Sequence, residues 1–189
     1  LTEYVQDCNA ILCPYFAGQA GGKAVTDAIF GLYNPSGKLT DTWPKAYCDT
    51  PSYKNYGGEN KEVWYGEGIY VGYRWYDARK IEPLFPFGYG LSYTSFAFSD
   101  LQVEDTDVEK EDIMVKVSVE NTGNMVGAEV VQLYVASPKS SFDKPEKELK
   151  GFQKVYLQPG EKTEVTLSVS KEELAHYHTA LEEFVTEPG

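Results

Sequence analysis

The chain has little that would let it work at a membrane, on a nucleic acid or around a metal. No apolar run approaches the ~18 residues that a spanning helix requires, and no signal-peptide pattern opens the sequence. Positive charge is scarce: 17 Lys and Arg stand against 29 Asp and Glu, for a net charge of −12. Such a surface repels phosphate backbones and anionic lipid, which excludes nucleic acid and membrane as partners. Residues 101–189 hold 18 of the acidic and 9 of the basic groups, so most of the excess lies in the second half. There are three cysteines, Cys8, Cys13 and Cys48, all near the start and with no C-x-x-C or zinc-like spacing. They read as buried or idle thiols, and their odd number favours a reducing, cytoplasmic compartment. Histidine occurs twice, as His176-Tyr177-His178. That spacing puts both rings on one side of an extended segment, but no carboxylate or cysteine stands at ligand spacing. Surface histidines, with no metal and no cofactor, are the expectation.

Core-building residues are present. Hydrophobic residues make up 42% of the 189 positions and aromatics 14%, so an ordered fold is expected, of one domain or two small ones. The sequence opens on Leu1 rather than Met, so we expect further chain upstream. Asn9-Ala-Ile-Leu-Cys13 reads as a short buried strand. After Gly21-Gly22, the spacing of Ala24, Val25, Ala28, Ile29 and Leu32 predicts a helix, stopped by Asn34-Pro35-Ser36-Gly37. One strand and one helix cannot cover both of their faces, so their neighbours are expected before Leu1.

From about Phe96 the period changes to two. Ile113, Val115, Val117 and Val119 form one strand, and Asn121-Thr122-Gly123-Asn124 turns into a second over residues 128–136. Residues 149–157 form another, and Gln158-Pro159-Gly160-Glu161 turns it into Val165, Leu167 and Val169. Ser170 with Glu173 fits a capping box for one helical turn carrying Leu174 and Tyr177. Phe184-Val185 begins a further strand before Glu187-Pro188-Gly189. With the one beginning at Phe96, six strands are expected, one fewer than a seven-strand sandwich needs.

Between the halves runs Val63-Trp-Tyr-Gly-Glu-Gly-Ile-Tyr-Val-Gly-Tyr-Arg-Trp-Tyr-Asp77, continued by Pro83-Leu-Phe-Pro-Phe-Gly-Tyr-Gly-Leu-Ser-Tyr93. It is too rich in Gly and Pro for a long helix and reads as an extended aromatic connector. Burial of Trp75, Tyr76, Phe85 and Phe87 is expected, since each aromatic covers ~150–250 Å². Trp64 and Tyr65 are the candidates for substrate contact, because aromatic faces stack on sugar rings. Arg74 and Asp77, three apart, suit a structural ion pair or backbone clamp. Gly18-Gln-Ala-Gly-Gly-Lys-Ala24 falls short of a phosphate loop, because Ala17 and Ala24 occupy positions that need Gly and Ser or Thr. Acidic runs such as Glu109-Lys-Glu-Asp112 read as solvated loop charges.

Together these motifs resemble glycoside hydrolase family 3. Glu67-Gly-Ile-Tyr-Val-Gly-Tyr-Arg-Trp-Tyr-Asp77 and Pro83 to Thr94 look like the signature joining two domains of that family. Gly18 to Gly22 and Asn34 to Leu39 are similar to the end of its α/β sandwich. Asn121-Thr-Gly123, Glu129 to Val135, Glu148-Leu-Lys-Gly-Phe152 and Leu157 to Glu161 resemble its fibronectin type III-like domain. The resemblance implies an α+β chain. It comprises an α/β-sandwich remnant (1–62), the aromatic connector (63–95) and an all-β immunoglobulin or fibronectin type III-like sandwich lacking its last strand (96–189).

The implied chemistry is retaining hydrolysis of β-glucosides, with xylosides as the nearest rival substrate, by a carboxylate nucleophile and a carboxyl acid/base. In the family the nucleophile sits in a Ser-Asp-Trp motif on a barrel, and no such tripeptide occurs here. The acid/base lies upstream of the Gly-Gln-x-Gly-Gly segment, where Glu3 is the lone glutamate and lacks the surrounding motif. No residue of this chain is therefore expected to be catalytic. The implied partners are the barrel and the rest of the α/β sandwich, with a β-glucoside or oligosaccharide as substrate. The competing reading is a stand-alone, non-catalytic β-sandwich that binds glycan or protein.

Overall fold

A computed structural model describes residues 2–104, 107 and 111–187. Glu109 and Lys110 of the acidic run, and Pro188 and Gly189 of the final turn, lie outside the described residues. The chain forms two compact units, one ending at Tyr93 and the other beginning at Thr94. Each has its own organisation.

In the first unit, helix α1 spans Gly21–Ile29, starting earlier and ending earlier than the apolar spacing predicts. It ends where Phe30 and Gly31 donate to the carbonyls of Thr26 and Ala28 and Gly31 turns to φ +71°. Only Ala28 of the apolar stripe is buried, while Ile29 remains 64% exposed. Asn9–Cys13 is not a strand: it runs as irregular chain with Ile11 and Leu12 exposed. A buried strand needs a ladder partner, and among the described residues none lies alongside it.

The unit is organised instead by an antiparallel pairing that the sequence did not announce. Residues 37–43 run beside residues 84–90. Leu39 N–H donates to Tyr89 O at 2.8 Å and Gly88 N–H to Leu39 O at 2.7 Å. Further along, Trp43 N–H donates to Phe85 O at 2.9 Å and Leu84 N–H to Trp43 O at 2.8 Å. The two segments meet so closely at one end that a Cβ on Gly90 would lie 2.4 Å from the Gly37 carbonyl oxygen. Lys38 Nζ donates to Gly90 O at 2.8 Å across the same gap. Asn34, buried, extends the seam. Its Oδ1 accepts from Ser92 Oγ at 3.1 Å and from Tyr93 N–H at 2.9 Å, and the Tyr93 hydroxyl donates to Ala28 O at 3.0 Å. The Asn-Pro-Ser-Gly stop and the Pro-Leu-Phe-Pro-Phe-Gly-Tyr-Gly run are thus two sides of one seam.

The connector is not extended throughout. Helix α2, Tyr73–Arg79, starts after Gly72, whose φ of +60° suits glycine, and ends at Lys80, which takes the left-handed conformation at φ +53°. Of the four aromatics expected inside, Tyr76 is buried and Trp75, Phe85 and Phe87 are half-buried. Phe85 meets Trp43 edge-on at 6.0 Å and stacks on Tyr89 at 5.2 Å, while Phe87 lies 5.1 Å from Tyr73. Trp75 Nε1 donates to Asp49 O at 3.1 Å.

The second unit contains seven strands among the described residues: β1 Phe96–Val103, β2 Ile113–Asn121, β3 Gly127–Val135, β4 Glu148–Leu157, β5 Lys162–Val169, β6 His176–His178 and β7 Glu183–Val185. They form an antiparallel β1-β2-β5 sheet, a β3-β4 pair and a β6-β7 pair. The strand missed by period counting is β6, too short for alternation to show. It pairs with β7, so β7 has its partner within the chain. Tyr177, expected on the helical turn, belongs to β6. Helix α3, Lys171–Leu174, carries the expected capping box, with Ser170 Oγ accepting from Glu173 N–H at 3.3 Å and Glu173 Oε2 from Ser170 N–H at 2.8 Å.

Val119 and Val165 from one sheet meet Val131 and Leu157 from the other in a dry core, each contributing ~1.5–3 kcal/mol of burial. At its edge lies Asn121, with no exposed surface. Its Nδ2 donates to Met125 O at 2.9 Å and Leu157 O at 3.0 Å. Its Oδ1 accepts from Thr94 Oγ1 at 2.8 Å and Gly123 N–H at 3.1 Å. Its backbone receives Gly160 N–H at 2.8 Å and donates to Glu161 O at 2.9 Å. The turn fits only because Gly123 has no side chain, since a Cβ there would sit 2.1 Å from Thr94 Oγ1.

Two substitutions test these arrangements. Asn121→Ala strands two carbonyls and two donors at a buried site, and should lower unfolding free energy by ~2–4 kcal/mol in urea titrations. A loss below ~0.5 kcal/mol would show that the knot carries no stability. Gly90→Ala overpacks the seam, at ~1–3 kcal/mol. Proteolysis in residues 44–83 should quicken, and an unchanged cleavage pattern would refute the seam's role.

Candidate functional site

The surface with most chemical character in the first unit is the turn-rich stretch before α2. Glu59 and Glu62 form a two-residue hairpin in which each N–H donates to the other's carbonyl at 2.9 Å. Its central residues Asn60 and Lys61 lie at φ +51° and +69°, the geometry of a tight turn that suits strand twist. The chain leaving this hairpin presents Trp64, 71% exposed, and Tyr65, 81% exposed. Tyr56, on the approach to the hairpin, is equally open at 81%. Sequence reasoning passed over Tyr56, although Gly57-Gly58 immediately after it signalled a turn that could display it.

Exposed aromatic rings lacking intramolecular cover can stack on flat apolar faces such as those of pyranose rings. Stacking of that kind positions a sugar but breaks no bond. Several carboxylates of this unit serve structure. Asp41 accepts from Trp43 Nε1 at 2.6 Å and from the Tyr15 hydroxyl at 2.9 Å. Asp49 accepts from Ala46 N–H at 2.9 Å, closing the turn beneath α2. Glu82 is ion-paired with Lys45, whose hydrogen bond and charge hold its carboxyl below the usual range. Glu3 lies in an exposed turn. Burial, and then the negative charge of Asp49, push the Tyr76 phenol upward, so that it stays neutral as a core hydroxyl.

Arg74 and Asp77 both lie half-buried on α2, and the Arg74 guanidinium sits 5.5 Å from the Tyr73 ring centre. Arg79 stacks on Trp75 at 4.7 Å. The histidines are not surface groups: both are half-buried in β6 of the second unit, against Phe142. Among the described residues no group of three or more His, Cys, Asp and Glu side chains is placed to hold a metal ion, and no helix is long and apolar enough to cross a membrane. Cys8 and Cys48 are exposed rather than buried, and Cys13 is half-buried.

Residues 1–73 match the glycosyl hydrolase family 3 C-terminal domain, and residues 129–189 match a fibronectin type III-like domain. The thermostable beta-glucosidase B of Acetivibrio thermocellus is 49% identical over 187 residues, covering 98% of this chain and 25% of that protein. A probable beta-glucosidase I of Aspergillus niger is 45% identical over 173 residues, 89% of this chain and 21% of that protein. Among solved structures, the beta-glucosidase of Kluyveromyces marxianus in complex with glucose superposes with a TM-score of 0.91 at 39% identity, over 98% of this chain and 22% of that one. Beta-glucosidase 3B of Thermotoga neapolitana in complex with glucose gives 0.87 at 45% identity, over 93% and 25%. The chain therefore spans about a quarter of the length of the relatives it matches. It belongs to glycosyl hydrolase family 3, of which it carries the C-terminal domain together with a fibronectin type III-like domain.

Proposed function

We propose that this chain completes a retaining hydrolase of β-glucosides, supporting and rimming an active site whose catalytic pair it does not contain. The observation that carries this reading is the match to beta-glucosidases over nearly the whole chain but only a quarter of their length. The sequence agrees with it, since it has no Ser-Asp-Trp motif. The exposed apolar groups of the first unit agree as well. Phe16, Ile29, Phe30 and Leu32 are all open to solvent, and each forfeits ~1.5–3 kcal/mol unless something covers it. The remainder of a parent enzyme, a barrel and further α/β-sandwich elements, is the partner that would cover them. Trp64 and Tyr65 are the residues proposed to reach the rim and stack on the sugar. A stand-alone binding module is favoured only by the second unit's having its own core, and it leaves the open faces of the first unit unexplained.

The 189-residue chain alone should not cleave aryl β-glucosides above background, because the two-step carboxylate route is missing. A turnover of roughly one per second from this chain would overturn the reading, since typical enzymes run at that rate or faster. In the whole enzyme, Trp64→Ala or Tyr65→Ala should raise KM for an oligoglucoside about 2–10-fold with kcat little changed, as loss of an aromatic stack at ~0.5–1.5 kcal/mol predicts. Unaltered KM in both variants would remove them from the substrate's path.

A further inference from the structure

The second unit holds a separate cluster of titratable and aromatic side chains. The β3–β4 loop, residues 136–147, is fastened at two points. Glu187 accepts from Ser140 Oγ at 2.5 Å, from Ser141 Oγ at 2.5 Å and from Ser141 N–H at 3.0 Å. Beside that clamp the Phe142 ring sits between the two histidines of β6, 4.4 Å from His176 and 4.8 Å from His178. Neither ring nitrogen of His176 is exposed, and neither has a hydrogen-bond partner. His178 is engaged otherwise: its Nδ1 accepts from Leu181 N–H at 3.1 Å, which closes the β6–β7 turn.

We propose that the His176–Phe142 contact is a proton-operated latch on the β3–β4 loop, closed while His176 is neutral and opened when the ring takes up a proton. A protonated imidazole carries two N–H donors and a full charge, and in this seat neither ring nitrogen meets an acceptor among the described residues. Attraction of the cation to the Phe142 face recovers less than two buried donors and a desolvated charge cost. Opening the loop exposes the ring to water and removes the conflict.

The charged groups around the ring fix the working range. Burial pushes His176 below its ordinary 6.5. Lys144, on the loop itself, and His178, on β6, push the same way, while Glu187 and Glu148, at the start of β4, oppose. Glu187 cannot be the responding group, because its serine hydrogen bonds hold it at about 2, and it stays anionic throughout. Since the closed-state ring binds its proton less readily than the open-state ring, the open form is favoured as pH falls from above 6.5 towards the depressed closed-state midpoint. Each pH unit between the two midpoints changes the closed-to-open ratio about tenfold. The proposal is independent of the hydrolytic reading.

Because the sequence contains only two histidines, their imidazole proton resonances can be followed individually in the whole 189-residue chain. His176 should titrate below 6.5, and the backbone amides of Ser140, Ser141 and Phe142 should shift with that same midpoint. In His176→Phe the loop amides should stay still through this range. Lys144→Met should raise the His176 midpoint and Glu187→Gln should lower it, a pair of opposite shifts that serves as the test if His176→Phe does not fold. Loop amides unmoved while His176 titrates would overturn the latch. So would identical movement in His176→Phe, or shifts of the same sign in the two charge variants.

Discussion

A buried asparagine cannot be left half-bonded. At Asn121 each of the four hydrogen-bonding valences of the side-chain amide, and both backbone groups, meets a partner. Those partners belong to four places in the chain: the entry at Thr94, the turn after β2, the end of β4, and the β4–β5 turn with Gly160 and Glu161. A wrong register in any of them would strand a polar group in the core, a penalty of the order of ~1–3 kcal/mol. The apolar contacts of Val119, Val131, Leu157 and Val165 supply cohesion but tolerate sliding, whereas the amide does not. The sandwich core gains its bulk stability from valines and leucine and its uniqueness from one amide.

The sheets of the second unit were legible because alternation is a strong signal when one face is buried and the other wet. Val115, Val119, Val165 and Val169 are buried at the spacing their period implies. The three-residue β6 was not legible, since His-Tyr-His carries no apolar alternation. The first unit was harder for a different reason. Its order comes from a seam joining residues more than forty positions apart, and no local period encodes such a pairing. Asn34 announced a helix stop but gave no sign that its side chain would hold Ser92 and Tyr93. Asn9–Cys13 misled because an apolar run reports a wish for burial, not the presence of a partner.

The candidate site divides along the same line. The exposure of Trp64 and Tyr65 depends on a two-residue turn in which Asn60 and Lys61 take left-handed conformations. Asparagine there is readable, but lysine is not a residue from which one would predict such a backbone. Composition alone marked the histidines as solvent groups. Their seat beside Phe142 arises from long-range packing of a loop against a short hairpin, which nothing in their immediate neighbours encodes.

The seam between residues 37–43 and 84–90 does more than order the first unit. It ties off the intervening chain as a closed loop whose two ends are fixed side by side by backbone hydrogen bonds, leaving its middle free of any duty to hold those ends together. For such a loop the entropic cost of closure grows only logarithmically with length, about 0.6 kcal/mol for each doubling. Residues in its exposed part, around Trp64 and Tyr65, can be added, lost or exchanged while the seam stays intact. Evolution can therefore lengthen, shorten or re-face the aromatic stretch around Trp64 and Tyr65 almost without structural consequence, and the fold gains a region where recognition can drift while the framework stays still.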